Sequence, residues 1–306
     1  MADNTTAPLE ATTRKDNLIL AVALSLLALV LFDAMGLIIK YLSPRYAAAE
    51  LSAYRNFFGI FPSVIALWSS RAWHQSGRPL KMRQWKLGLM RGVFVTFAQF
   101  LYYFSLGKLA FATATTITYT NAFFLTALAV PILGEKVGWA RWSAVLIGFS
   151  GVIWIMKPGS DSFTVNAIAP VGAAFLYAIA GVTARLFDPE VPSPLINLYS
   201  VVSALVGSLV LVAVVGGFSP IERAQDFFWV IGIGMFGGTA VLCLVVSYRM
   251  TEQSNLAPFS YFGIPIAFVA GWLVFDEAPW GDLFPGALLI VVGGLLVVWR
   301  ERRLKR

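Results

Sequence analysis

The sequence predicts an all-α integral membrane protein of ten transmembrane helices, arranged as two inverted five-helix repeats. Three observations predict it. Of 306 residues, 58% are hydrophobic and only 13% charged, with mean hydropathy +0.75; ordinary soluble domains carry about 25% charged residues. Apolar runs of about 20 residues, the length that crosses a bilayer core, recur along the whole chain. The text of the first half also returns in the second.

Residues 1–16, "MADNTTAPLEATTRKD", are polar and lack an apolar signal core, so they read as a cytosolic tail. Span 1, Asn17–Leu42, carries Asp33, the one acidic residue placed deep in a helix. Span 2, Ala47–Ser69, carries Arg55 well inside "ELSAYRNFFGIFPSVIALW". Span 3, Lys86–Gly107, starts about five residues, or 8 Å, before Arg91, whose long stem is expected to snorkel to the cytosol. Spans 4 and 5 are Phe111–Leu133 and Ala140–Met156, the latter with packing glycines Gly148 and Gly151. Spans 6, 7 and 8 are Val165–Ala184, Pro194–Val215 and Phe227–Arg249. Span 9, Ala257–Phe275, is expected to bend at Pro258 and Pro265, each of which removes an intrahelical hydrogen bond. Span 10, Leu283–Trp299, has Gly286 and Gly293 on one face and leads to the basic tail 301–306. Several tryptophans, Trp68, Trp73, Trp85, Trp139, Trp142, Trp280 and Trp299, fall near span ends and read as an interfacial belt.

The net charge of +7 could suggest nucleic acid, but its placement argues against that partner. With the N-terminus inside, sixteen of the 23 Lys and Arg residues fall on cytoplasmic segments, five on outer ones, and Arg55 and Arg91 within spans. The bias predicts both termini in the cytoplasm of a plasma (bacterial inner) membrane, with basic loops against lipid headgroups. The single cysteine, Cys243, permits no internal disulfide.

At an offset of 142, Glu135 falls on Glu277, Tyr119 on Tyr261 and Gly151 on Gly293; at 145, Tyr54 falls on Tyr199, Gly36 on Gly181 and Lys40 on Arg185. Residues 17–157 and 158–300 thus read as two copies. Five helices per copy forces opposite orientations, the plan of many secondary transporters, with a site near the midplane.

The segments "ILGEKVGWARWSAVLIGFSGVIWI" and "VFDEAPWGDLFPGALLIVVGGLLVV" resemble the signature of the drug/metabolite transporter superfamily, in its ten-helix members with two EamA domains. Within it the chain is similar to the YddG-type exporters of aromatic amino acids. The resemblance implies a central cavity lined by spans 1–4 and 6–9, with spans 5 and 10 peripheral. "DAMG" at Asp33–Gly36, followed by Lys40, also resembles the first helix of small multidrug transporters, where an acidic residue carries proton and substrate.

A charge at bilayer depth is costly and needs a partner or a water-filled path. Asp33 and Arg55 lie eleven residues either side of Pro44, so antiparallel neighbours would bring them to one depth; their counterparts, Ala178 and Ser200, are both uncharged. The two residues form either a structural ion pair or a clamp on the cavity wall, Asp33 for an ammonium and Arg55 for a carboxylate. Tyr102, Tyr103, Thr118, Tyr119, Asn121, Tyr177, Ser247, Tyr248, Ser260 and Tyr261 add polar points suited to a small-molecule site. No catalytic constellation, metal spacing or phosphate loop is found, so neither an enzyme nor a cofactor is expected. The expected protein is a carrier, functional as a monomer, that exports an aromatic or other amino acid, or a similar small metabolite, by alternating access; export or import of nucleoside-like compounds or organic cations, or a channel or scaffold role, stays open.

Overall fold

The computed structural model describes residues 7–134, 138–156, 165–188, 190–221, 223–250, 256, 259 and 261–304. Among them there are helices and no strands. Six segments, Leu18–Leu42, Trp85–Leu106, Phe111–Leu133, Val165–Leu186, Ser193–Val215 and Ala224–Leu244, are long and apolar enough to cross a membrane.

In chain order the helices are α1 (Ala7–Leu42), α2 (Ala48–Trp68), α3 (Arg71–Gln75), α4 (Trp85–Leu106), α5 (Phe111–Thr118), α6 (Asn121–Leu133), α7 (Trp139–Met156), α8 (Ile168–Thr183), α9 (Ser193–Val215), α10 (Ala224–Met250), α11 (Gly263–Phe275), α12 (Trp280–Leu283) and α13 (Gly286–Leu304). Helix α1 begins at Ala7, inside the segment expected to be a tail. At the start of α2, Glu50 reaches back to accept from the Ala47 N–H at 3.1 Å, satisfying one orphan donor of the first turn.

Span 4 is not one helix. It breaks at Tyr119–Thr120, where Thr120 N–H and its own hydroxyl both donate to the Ile117 carbonyl, at 3.1 and 2.6 Å. Threonine hydroxyls compete for helix carbonyls and tighten the turn. Span 9 differs too. Helix α11 starts at Gly263, so Pro265 lies in its first turn, where the missing N–H costs nothing, and it does not bend the helix. Pro258 lies outside the described residues. Helices α6 and α11 have 13 residues each and both end on a left-handed residue, Gly134 (φ 69°) and Asp276 (φ 55°).

Helix α10 packs against both α1 and α2, and α4 against both α8 and α9. Small residues allow these approaches: Gly234 of α10 abuts Phe58, Gly238 abuts Pro62, and on α4 Gly88 and Gly92 meet Tyr199 and Ser203. Helix α7 crosses α13 where Gly151 and Gly286 face each other's carbonyl oxygens, while Gly148 packs on Phe123, as the packing-glycine reading expects. Of the proposed aromatic belt, Trp68, Trp85, Trp139, Trp142 and Trp280 are exposed. Trp73 is instead buried, its indole N–H donating to the Pro79 carbonyl at 2.9 Å, because the short α3 folds it under the following loop.

One end of the bundle is joined by polar contacts between sequence-distant turns. Arg45 Nη2 lies 3.1 Å from Asp226 Oδ1, and the Tyr46 hydroxyl donates to Asp226 Oδ2 at 3.1 Å. Burial, reinforced by that carboxylate, pushes the Tyr46 pKa up from its ordinary value. Glu50 also accepts from the Ser219 N–H at 2.8 Å. At the other end, Gln84 donates to the Leu186 carbonyl at 3.1 Å and Tyr199 to the Leu80 carbonyl at 2.9 Å.

Candidate functional site

The expected Asp33–Arg55 ion pair is not formed. Both side chains are buried, at 4% and 7% exposure, yet Asp33 Oδ2 and Arg55 Nε have no hydrogen-bond partner. Equal depth would pair the two charges only if α1 and α2 were direct neighbours. Helix α10 packs between them instead, with Gly237 placed where an added Cβ would lie 2.5 Å from Met35 Sδ and 3.2 Å from Arg55 Nε. The two charges therefore face the interior from separate walls.

Tyrosines line the same interior: the Tyr102 hydroxyl lies 3.7 Å from where a Cβ on Gly36, one turn after Asp33, would stand, and Tyr103 packs in one core with Met35 of α1 and Ile233 of α10. The Tyr102 and Tyr103 ring centroids are 6.0 Å apart, and the Tyr102 hydroxyl lies 3.2 Å from Thr115 Oγ1. Asp33, Arg55, Tyr102 and Tyr103 thus lie around one core of α1, α2, α4 and α10, whereas the Tyr119 hydroxyl abuts Gly263 of α11 and Tyr177 lies on α8.

The other expected residues are spread more widely. Thr118 Oγ1 donates to the Ala114 carbonyl at 2.9 Å, one turn back in α5, and Asn121 opens α6 beside Tyr119. Tyr261 is 8% exposed and packs with Phe123, Leu283 and Ile290 against Gly294 of α13, so it serves that core. Ser247 is buried and donates to its own helix at Leu244 O, 2.9 Å. Ser260 and the Tyr248 side chain lie outside the described residues.

Arg91 is not a snorkelling anchor. Its Nε donates to the Ala180 carbonyl and its Nη1 to Ser200 Oγ, both at 2.8 Å, because α4 packs directly against α8 and α9 and offers these acceptors nearer than the cytosol.

Three groups of functional interest were missed. Lys40 Nζ lies 3.0 Å from Glu277 Oε1 and donates to the Leu109 and Leu106 carbonyls at 2.6 and 3.3 Å, at the C-terminal end of α4. Glu277 Oε2 accepts from the Phe111 N–H at 2.9 Å, at the start of α5. A cation thus sits at one helix C-terminus and an anion at the next N-terminus, each at the end its charge favours. The second group is the amide pair Asn56 and Gln99 beside Arg55, the third the buried Thr116 on α5. Carboxamides inside apolar spans were the available signal; nothing local announces the Lys40–Glu277 contact.

The profile of the EamA-like transporter family matches this chain twice, over residues 19–157 and 166–299. The chain belongs to the EamA-like transporter family. The members it resembles include an S-adenosylmethionine uptake transporter of Rickettsia bellii, 24% identical over 91% of this chain and 93% of that protein. A riboflavin transporter of Rhizobium johnstonii is 32% identical over 63% of each chain. Human solute carrier family 35 member G1 is 26% identical, covering 90% of this chain and 79% of that one. A solved crystal structure superposes with TM-score 0.63 at 17% identity, over 94% of this chain and 99% of the other, a likeness of fold. The Asp33–Arg55 constellation therefore sits in a multi-pass, EamA-like membrane transporter whose named relatives carry small molecules.

Proposed function

We propose that this EamA-like protein is a secondary carrier of a small metabolite bearing an ammonium, a carboxylate and an aromatic ring, in the simplest case an aromatic amino acid moved outward. One observation carries the reading. Two buried charges of opposite sign, each with an unpartnered polar atom, stand beside one core that holds Tyr102 and Tyr103. An orphaned buried charge is expensive and persists where a ligand or water completes it. Arg55 suits a carboxylate, Asp33 an ammonium, and the rings of Tyr102, Tyr103, Tyr119 and Tyr177 an aromatic body. Thr118 and Asn121, at the break between α5 and α6, extend the polar side of the site, since interrupted helices free backbone groups for substrate.

The carrier works by alternating access between two inverted copies, 17–157 and 158–300, as a monomer in the bacterial inner membrane with both termini cytoplasmic. Three features support the repeat. Helices α6 and α11 occupy equivalent positions at the offset of 142, each starts after a two-residue turn, and both cap alike. The packing of α10 on α1 and α2 is mirrored by that of α4 on α8 and α9. The α7–α13 crossing is made by equivalent fifth and tenth spans.

A second reading is favoured by the Rickettsia relative: S-adenosylmethionine also carries an ammonium, a carboxylate and an aromatic base, so the same clamp would accept it in the uptake direction. Counterflow in liposomes with labelled phenylalanine tests both. Tyrosine, tryptophan or S-adenosylmethionine should compete, whereas phenethylamine and phenylpropionate, each lacking one charge, should compete at least about tenfold less well, the value of one charge-assisted contact. Competition by riboflavin with none by any zwitterion would refute the clamp.

A further inference from the structure

We propose that Asn56 and Gln99 are positioning residues that set the orientation of the Arg55 guanidinium, an inference that rests on Arg55 being the carboxylate-binding group. Arginine has donors only, five N–H groups and no acceptor. Arg55 Nη1 lies 3.1 Å from Asn56 Oδ1, which fixes that end of the Asn56 carboxamide as oxygen. The Asn56 nitrogen is then directed at Gln99 Oε1, 2.8 Å away, and this fixes the Gln99 carboxamide as well. The same Gln99 oxygen accepts from the Ser52 hydroxyl at 2.9 Å.

The result is a one-way chain, Arg55 to Asn56 to Gln99, in which each amide has one consistent assignment. It is buried: Ser52 and Asn56 are 0% exposed and Gln99 3%. In such surroundings a hydrogen bond is electrostatically strong and a lost partner is costly.

Neighbours i and i+1 on a helix point in different directions. Asn56 faces α4, where Gln99 sits, and Arg55 turns its Nη1 edge toward it. The remaining donors are left on the Gly237 side, where the glycine makes room for the guanidinium. Holding the fork in one rotamer before substrate arrives lowers the cost of bidentate carboxylate capture.

The alternative is that the amides merely glue α2 to α4. A test on the full-length protein separates the two. Parent, Asn56→Leu, Gln99→Met and Gln99→Glu are compared in liposomes with labelled phenylalanine and with phenethylamine, which has no carboxylate. Positioning predicts that Asn56→Leu and Gln99→Met raise KM for phenylalanine about three- to tenfold, the coupling usual within one hydrogen-bonded network, with kcat within about twofold and phenethylamine little changed. Gln99→Glu keeps the acceptor but adds a carboxylate that is costly in this buried site, so its KM should fall between those of the parent and Gln99→Met. In Arg55→Ala the further change Asn56→Leu should then have no added effect on phenylalanine. Equal shifts for both probes, or an undiminished effect without Arg55, would overturn the proposal.

A ligand-free readout separates this proposal from the functional reading beneath it. Labelling of Arg55 by phenylglyoxal, followed by peptide mass spectrometry in detergent, should speed up severalfold in Asn56→Leu and in the milder Asn56→Ser. If the parent does not distinguish phenylalanine from phenethylamine, the carboxylate reading falls and the labelling rates alone decide the orientation claim. Unchanged labelling in both Asn56 variants refutes it.

Discussion

Replacing Glu277 by glutamine removes the negative charge from a junction that joins four segments of the bundle. In the parent, Lys40 Nζ is 3.0 Å from Glu277 Oε1, with side-chain exposures of 12% and 31%. Two unit charges at that separation attract by about 5.5 kcal/mol at an effective dielectric of 20, before desolvation is subtracted. Breaking a fully buried pair costs about 3–5 kcal/mol and an exposed one about 0.2–1 kcal/mol, so this half-buried pair falls near 2 kcal/mol. Glutamine can still accept from the Phe111 N–H, now 2.9 Å from Glu277 Oε2, but loses the favourable charge at the α5 N-terminus, roughly a further 0.5 kcal/mol. Lys40 keeps the Leu106 and Leu109 carbonyls, which limits the loss. The expected cost is about 2–3 kcal/mol, or about 4–6 °C in Tm at roughly 2 °C per kcal/mol for a chain of this size. Thermal unfolding of purified Glu277→Gln, Lys40→Met and the double variant, in one detergent at one scan rate, measures it. The double variant should lose about 1–2 kcal/mol less than the sum of the singles. A Tm for Glu277→Gln within about 1 °C of the parent, or strict additivity, refutes the junction as a coupled unit.

Asp33→Asn and Arg55→Gln should each weaken phenylalanine competition at least about tenfold, one charge-assisted contact apiece; because the two are not paired, the effects should add, and rescue by the double variant would show a pair after all. A cysteine at Ser76 in a Cys243→Ser background should resist membrane-impermeant thiol reagents in intact cells, and one at Ile221 should react; the opposite pattern would invert the topology. The raised Tyr46 pKa means that the neutral phenol is favoured in the folded protein, so its contribution is fully present below about pH 10, the unfolded value, and is lost as pH rises through the folded one. Tyr46→Phe should therefore shrink the drop in Tm between pH 9 and pH 11, and an unchanged drop would clear Tyr46 of that role.

Six of the ten expected spans were legible because crossing a bilayer requires about 20 consecutive apolar residues, a property of local sequence. The cost of burying charge likewise singled out Asp33 and Arg55 without any neighbour being known. Four tyrosines of the candidate site were legible for a related reason, as polar groups in apolar helices. The break at Tyr119–Thr120 was not, since its cause is a hydroxyl choosing between solvent, backbone and helix, and hydropathy does not record that choice.

Position along a helix follows from counting residues at 1.5 Å each, and the sequence by itself determined it. Which helix stands beside which does not follow from counting. It depends on the fit of glycine faces such as Gly234 and Gly238 of α10 against Phe58 and Pro62 of α2, a contact between distant parts of the chain. That packing put α10 between α1 and α2, kept Asp33 and Arg55 apart, turned Arg91 toward Ser200 rather than the cytosol, and brought Lys40 to Glu277. Only the tertiary structure decided these, because a helix's neighbours are chosen by the shapes of all its partners at once.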